Sequence, residues 1–262
     1  VYPTIGDIFR KTKNASGSGM NTRNFTLLGD PALRLAYPKN KIQTSSINDT
    51  IKALSEITIY GYVEGDMGML SSFNGTVFVT VYDKEIVRTT LGQESSTPMP
   101  YREQNNIIYK GTASVSGGEF SISFIVPNEI DYEYGAGRVS YYAISDDGST
   151  DASGNCESFI IGGISNNINV DYTGPEIELY LNNRKFEDGG ISSSSPILLV
   201  DIFDASGINM VGNGIGHDII AILDDNNTSP YVLNDYYEAN ENDYTRGSVS
   251  FPFNDLEDGE HK

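Results

Sequence analysis

The sequence predicts a mainly β fold: two immunoglobulin- or fibronectin-like β-sandwiches behind a short α/β remnant, the second sandwich cut short. Three observations predict it. Apolar and polar residues alternate with a period of two through most segments after Ile57. Gly, Asn, Asp and Ser punctuate those segments, with no helical stretch between them. The charge also changes sign near Ile42. Residues 1–42 hold seven Lys/Arg and two Asp/Glu, a balance of +5, whereas 43–262 hold ten and thirty-four, a balance of −24. Such a break marks a domain boundary, so the divisions fall at 1–42, 43–170 and 171–262.

The first segment follows helical rules. Pro3 to Asn14 reads as a helix, opened by a capping box of Thr4 and Asp7. Ile5, Ile8 and Phe9 form an apolar stripe, and Arg10, Lys11 and Lys13 suit the negative end of the helix dipole. Ala15 to Gly19 ends the helix. Phe25 to Leu28 reads as a short strand, stopped by the turn Gly29-Asp30-Pro31. Helix followed by strand is an α/β pattern, unlike the rest of the chain.

Thereafter the strands come in order. Ile57, Ile59 and Val63 alternate with Thr58, Tyr60 and Tyr62. Val77, Val79 and Val81 alternate with Phe78, Thr80 and Tyr82. Ile107–Val115, Phe120–Val126, Arg138–Ile144 and Ser158–Ile161 complete a sandwich-like set. The buried Trp and disulfide of antibody domains are missing, since Trp is absent and Cys156 is the one cysteine. Only the architecture is therefore predicted. Ile164 to Thr173 reads as a linker. Glu176–Leu181, Pro196–Phe203, Asp218–Leu223 and Ser248–Phe253 then restart the pattern. Gly259 to Lys262 reads as the turn of a hairpin whose second strand is missing, which predicts an exposed sheet edge.

Composition excludes some functions. A net charge of −19 repels nucleic acid and anionic membrane surfaces. No apolar run approaches the ~20 residues that cross a bilayer, and no secretory signal is visible at Val1.

Residues that could carry chemistry have structural readings that fit better. Cys156 as a nucleophile needs a base and an electropositive setting, but it stands beside Glu157 at a strand edge. His217, beside Asp218, reads as a turn histidine, and His261 lies in the last turn. Asp146, Asp147, Asp151 and Asn155 could offer the oxygen ligands that Ca²⁺ prefers, as could Asp201, Asp204, Asp224 and Asp225. Their spacing fits no EF-hand loop, and such residues cap their own turns. Among the 17 tyrosines, Tyr132, Tyr134, Tyr141, Tyr142, Tyr231, Tyr236 and Tyr237 could form a glycan- or protein-binding face, though packing against the core is the expected role for most. No catalytic, cofactor or metal residue is assigned.

Eight segments carry a family resemblance. They are NFTLLGDPALRLAYP (Asn24–Pro38), FNGTVFVTVYDK (Phe73–Lys84), QNNIIYKGTASVSGGEFSISFIVP (Gln104–Pro127), SYYAISDDGSTDASG (Ser140–Gly154), FIIGG (Phe159–Gly163), GPEIELYLN (Gly174–Asn182), GIGHDIIAILD (Gly214–Asp224) and LNDYY (Leu233–Tyr237). In order and spacing they resemble the gingipain family of cysteine peptidases, and within it the cell-surface sortases of the type IX secretion system in Bacteroidetes. Asn24–Pro38 resembles the end of that family's peptidase domain. The resemblance implies a surface-exposed peptidase that cleaves C-terminal sorting domains from secreted cargo and attaches the product to a lipopolysaccharide anchor. It also implies that the catalytic His and Cys lie upstream, so this chain itself has no peptidase activity.

Two functions of different class follow. The first is an accessory region bracing an upstream peptidase domain at the cell surface, on the outer side of the outer membrane, with secreted cargo or secretion-system components as partners. The second is a free-standing adhesin or carbohydrate-binding sandwich. The first forty residues discriminate them, because a free module has no use for a capped helix that lacks an α/β sheet to join.

Overall fold

Alternation of burial builds the sheets. In β3 (Glu56–Gly65) and β5 (Gly75–Tyr82) every second residue is buried, as the sequence period requires. The computed structural model describes residues 3–17, 19–93, 96–166, 173–211 and 218–262. The chain is mainly β, with 45% strand against 7% helix. It divides into two compact units, Val1–Lys39 and Asn40–Lys262.

The first unit holds helix α1 (Ile5–Ala15) and one turn of helix, α2 (Met20–Asn24). Thr4 caps α1, its hydroxyl oxygen accepting from the Asp7 amide at 3.1 Å. The next free amides of the helix start are met by the returning chain. Ile5 N–H donates to the Leu33 carbonyl (2.8 Å) and Gly6 N–H to that of Pro31 (2.9 Å), which satisfies donors every helix leaves open. A Cβ on Gly6 would stand 2.8 Å from Pro31, so glycine is required where the turn seats itself. Asp30 shapes that turn by accepting from the Ala32 amide at 2.8 Å. Phe25–Leu28, expected as a strand, makes no strand pairing. A lone strand is not stable without neighbours to satisfy its backbone, and none of the described strands lies in this unit.

In the second unit one sheet joins twelve strands, eleven on a single path and one beside it. Its first part is the sandwich. β8 (Ile107–Val115), β5, β11 (Arg138–Ser145) and β12 (Asp151–Cys156) form one sheet. β1 (Asn40–Ser46) pairs parallel with β12 and antiparallel with β3, and β3 pairs with β9 (Glu119–Ile125). The path thus folds over, and Val77, Val79, Val81 and Val139 share one core with Ile57, Ile59, Ile122 and Phe124. A small sheet of β2 (Thr50–Ala53), β10 (Gly135–Ala136) and β13 (Ile160–Ile164) adds Ile51 and Ile161 to it. A two-stranded ribbon, β6 (Ile86–Thr89) and β7 (Pro100–Glu103), completes this part.

The later strands join the same sheet. β14 (Glu176–Leu181), β15 (Ile197–Phe203), β19 (Asp243–Pro252) and β18 (Tyr237–Asn240) pair antiparallel in that order. β18 then lies parallel to β8, with Ala239 opposite Gly111. Two glycines allow the approach: a Cβ on Gly111 would collide with the Tyr109 hydroxyl, and one on Gly247 with the Tyr237 ring. Asn242, with φ 57° at the β18–β19 turn, bonds β8 from its side chain. It accepts from the Ser114 amide (3.1 Å) and donates to the Ser114 hydroxyl (2.7 Å). A short pair, β16 (Ile220–Ala221) and β17 (Tyr231–Val232), stands where Asp218–Leu223 was expected as a longer strand. The linker expected at Ile164–Thr173 falls mostly outside the described residues.

Gly247→Ala is expected to lower stability by about 1–3 kcal/mol, the usual cost of forcing atoms into a filled core. Urea denaturation would read this directly, and an unchanged midpoint would contradict the packing described.

Candidate functional site

Cys156 ends β12 opposite Val139 and is 9% exposed. Its thiol lies 3.3 Å from the Ser158 hydroxyl. A hydroxyl neighbour supplies neither the base nor the positive field that a cysteine nucleophile needs. His261 is occupied on both nitrogens, by the Asp224 carboxylate at Nδ1 (2.8 Å) and the Glu257 carbonyl at Nε2 (2.7 Å). The Glu257 carbonyl, then Asp224, raises its pKa. Together with the Lys262 amide, which donates to Asp224 at 2.8 Å, it pins the last residues to the Asp224 loop. His217 lies outside the described residues.

The aspartates serve their own turns. Asp147 accepts from the Ser145 hydroxyl (2.7 Å), the Ser149 amide (3.0 Å) and the Ser149 hydroxyl (2.8 Å). Those bonds, Ser145 first, lower its pKa to about 2. Asp151 and Asn155 are on β12, past this turn. Asp201 is gripped by the Arg184 guanidinium through two bonds of 2.6 and 2.7 Å, which holds its carboxyl below the usual range. Asp204 accepts from the Ser206 amide at 2.8 Å. Among the described residues no three His, Cys, Asp or Glu side chains gather as a metal ion would require.

The tyrosines divide. Tyr141 and Tyr237 are buried, while Tyr132, Tyr134, Tyr142 and Tyr236 are exposed. Tyr231 is partly covered, its ring 5.4 Å from Phe251 and 5.1 Å from Phe253. Burial pushes the phenols of Tyr141 and Tyr237 up.

One polar cluster was not anticipated. Lys84 and Asp83 are both buried. The ammonium donates to Asp83 (2.9 Å) and to the Asp131 carbonyl (2.6 Å). Arg138 lies 4.5 Å over the Tyr82 ring and donates to the Gln104 carbonyl. Two adjacent opposite charges at a strand end look like an exposed pair in sequence, so nothing there announced burial. Lys84 and Asp83 match each other's charge, while Arg138 has no carboxylate partner among the described residues and its Nε is buried without a hydrogen bond. The Lys84 bonds tie the Asp131 loop to the sandwich end.

The surface least explained by the chain's own packing is on the first unit. No residue of α1 is buried. Phe25, Leu28, Leu33, Leu35 and Tyr37 are exposed within one short segment, beyond the scattered apolar exposure normal for a surface.

Comparison with known proteins bears on that segment. No family model matches the chain, and no curated protein matches it. A solved structure, dimeric latent PorU from Porphyromonas gingivalis, is 31% identical over 99% of this chain, with a TM-score of 0.52. The chain is a PorU-like segment. It spans 26% of that structure's chain, about a quarter of its length. Two looser likenesses carry no argument. The sporulation control protein Spo0M from Bacillus subtilis is 10% identical over 63% of this chain and 80% of its own, with a TM-score of 0.31. A β-glucosidase from Listeria innocua is 13% identical over 58% of this chain and 22% of its own, with a TM-score of 0.23.

The Asp147 carboxyl is expected to titrate at about 2 by carboxyl-carbon NMR. Its stabilising contribution is present above the unfolded value of about 3.9 and is lost as pH falls through the folded one. Ser145→Ala should move the titration upward. An ordinary aspartate titration in the unaltered protein would contradict the turn geometry.

Proposed function

We propose that this chain is the non-catalytic region of a gingipain-like cysteine peptidase of PorU type, a cell-surface sortase acting on the C-terminal sorting domains of secreted cargo. Residues 1–42 are the closing part of the peptidase domain. Residues 43–170 are an Ig-like β-sandwich and residues 171–262 belong to a second one; together they brace the peptidase and help present substrate or secretion partners. The setting is the outer face of the outer membrane. No helix among the described residues is long and apolar enough to cross a membrane.

The observation that carries this reading is the first unit. Its helix is capped at 2.8 and 2.9 Å by the chain that follows, so it is built to a definite shape. Yet Phe25, Leu28, Leu33 and Leu35 are exposed, and the stripe of Ile5, Ile8 and Phe9 is only half-buried. A capped amphipathic helix stabilises itself by burying its stripe against a sheet. The natural cover is the remainder of an α/β domain. Cys156, buried beside a serine, supports the view that the catalytic pair belongs to that domain.

Two measurements test the reading. The reading frame ahead of Val1 is expected to encode an α/β domain with a His and a Cys. That domain, produced separately, should bind this chain, and Phe25→Ser with Leu28→Ser should weaken binding by about tenfold or more. A frame lacking such a domain overturns the proposal. In a fluorogenic peptide assay the chain alone should show no turnover, and turnover abolished by Cys156→Ala would overturn the non-catalytic assignment.

A further inference from the structure

The outer face of the sheet is concave where β18 meets β8. A groove of about 340 Å³ opens there, lined by Thr112, Tyr236, Glu238, Asn240, Ser248 and Ser250. That volume lies within the ~300–1,000 Å³ of small-molecule sites. Thr112 forms part of the lining although only 8% exposed, and its hydroxyl has no hydrogen-bond partner among the described residues. The sealed and unpartnered polar atom among the described residues is Arg138 Nε, so the Thr112 oxygen reaches solvent in the groove, where water or a ligand can meet it. Tyr236 is 43% exposed and fixed edge-on against Phe251, ring centroids 4.8 Å apart. It offers a rigid flat face at little entropic cost. At the rim Glu241 is engaged, accepting from the Ser114 hydroxyl at 2.5 Å. Glu238 is the carboxylate left open to a ligand.

We infer that this groove binds an uncharged, hydroxyl-rich ligand, a saccharide. The lining chooses the class. Hydroxyls, an amide and one open carboxylate can donate to and accept from a polyol on several sides. The Tyr236 ring can cover a sugar's apolar C–H face. The two carboxylates and the acidic surroundings reject an anion. Ala239 is the one aliphatic residue in the lining, which leaves nothing to hold an apolar ligand. A cation would use Glu238 and leave the donor hydroxyls of Thr112, Ser248 and Ser250 unused. The site is independent of whether an upstream peptidase domain exists.

The whole chain would be titrated with maltotriose, mannotriose and N-acetylchitotriose, and with pentalysine as the charged comparison. The chain has no Trp, so tyrosine fluorescence reports binding directly, with amide NMR shifts locating it. At least one saccharide is expected to saturate at a Kd of ~1 mM or tighter. Tyr236→Ala and Thr112→Val should each weaken it about tenfold. Thr112→Val keeps the side-chain shape, so an unchanged thermal midpoint separates lost binding from lost folding. Glu238→Gln, altering charge alone, provides a second variant. Binding of none of the three saccharides, binding of pentalysine in their place, or unchanged affinity in the variants would overturn the inference.

Discussion

The parallel seating of β18 on β8 is the contact on which most of the second unit depends. The backbone pairing there is short, Ala239 opposite Gly111, so side chains must supply the rest. They do so on both faces. Inside, Tyr109 stacks on Phe124 with ring centroids 4.5 Å apart, and Tyr237 is buried. Both rings fit because glycines stand at 111 and 247. Outside, Asn242 and Glu241 bond Ser114, and the Lys110 ammonium donates to the Asp235 carbonyl. Without this seating β8 would be a sheet edge, with Tyr109 and Thr112 open to water. With it, the free edge moves to β14, which carries Glu176 and Glu178. Charge on an edge strand is a usual defence against unwanted pairing. The same seating makes the concave outer face that forms the groove.

What the sequence disclosed follows from how much apolar signal each element carries. β5, β9 and β11 bury a residue at every second position, so their period was plain. β1, β12 and β18 bury few residues each: Ile42 in β1, Ala152 and Cys156 in β12, Tyr237 and Ala239 in β18. With so few buried positions they carried no period to mark them as strands, and β12, rich in Ser, Asn and Asp, read as part of a loop. That is why Asp151 and Asn155 were grouped with the Asp146–Asp147 turn. Phe25–Leu28 erred the other way. Its side chains fit a strand, but a strand also needs neighbours, and local sequence cannot show whether they exist. The groove was least legible, because its floor comes from Thr112 and its walls from residues 236–250. Tyr236 alone carried a signal, and it could not be told from the packed tyrosines without knowing its exposure.

The division of charge takes on meaning beside the division of structure. The positive balance belongs to a small unit with uncovered apolar side chains, and the negative balance to a sheet whose core is filled. The second unit has its own core, whereas no residue of α1 in the first is buried. Histidine and cysteine in the described part are spent on structure, His261 in anchoring the last residues and Cys156 in the sandwich interior. A family resemblance that invites a search for a catalytic pair therefore leads, in this chain, to contacts that hold parts together.

Native-state hydrogen exchange in increasing urea tests the role of the β8–β18 seating most directly. If strands 40–166 and 173–262 depend on that seating, the amides of Ala113 in β8 and of Val200 and Val249 in β15 and β19 should open together with the same free energy. If the β15 and β19 amides exchange through a separate opening that leaves β8 and β5 protected, the two parts are independent and the seating is not the constraint described.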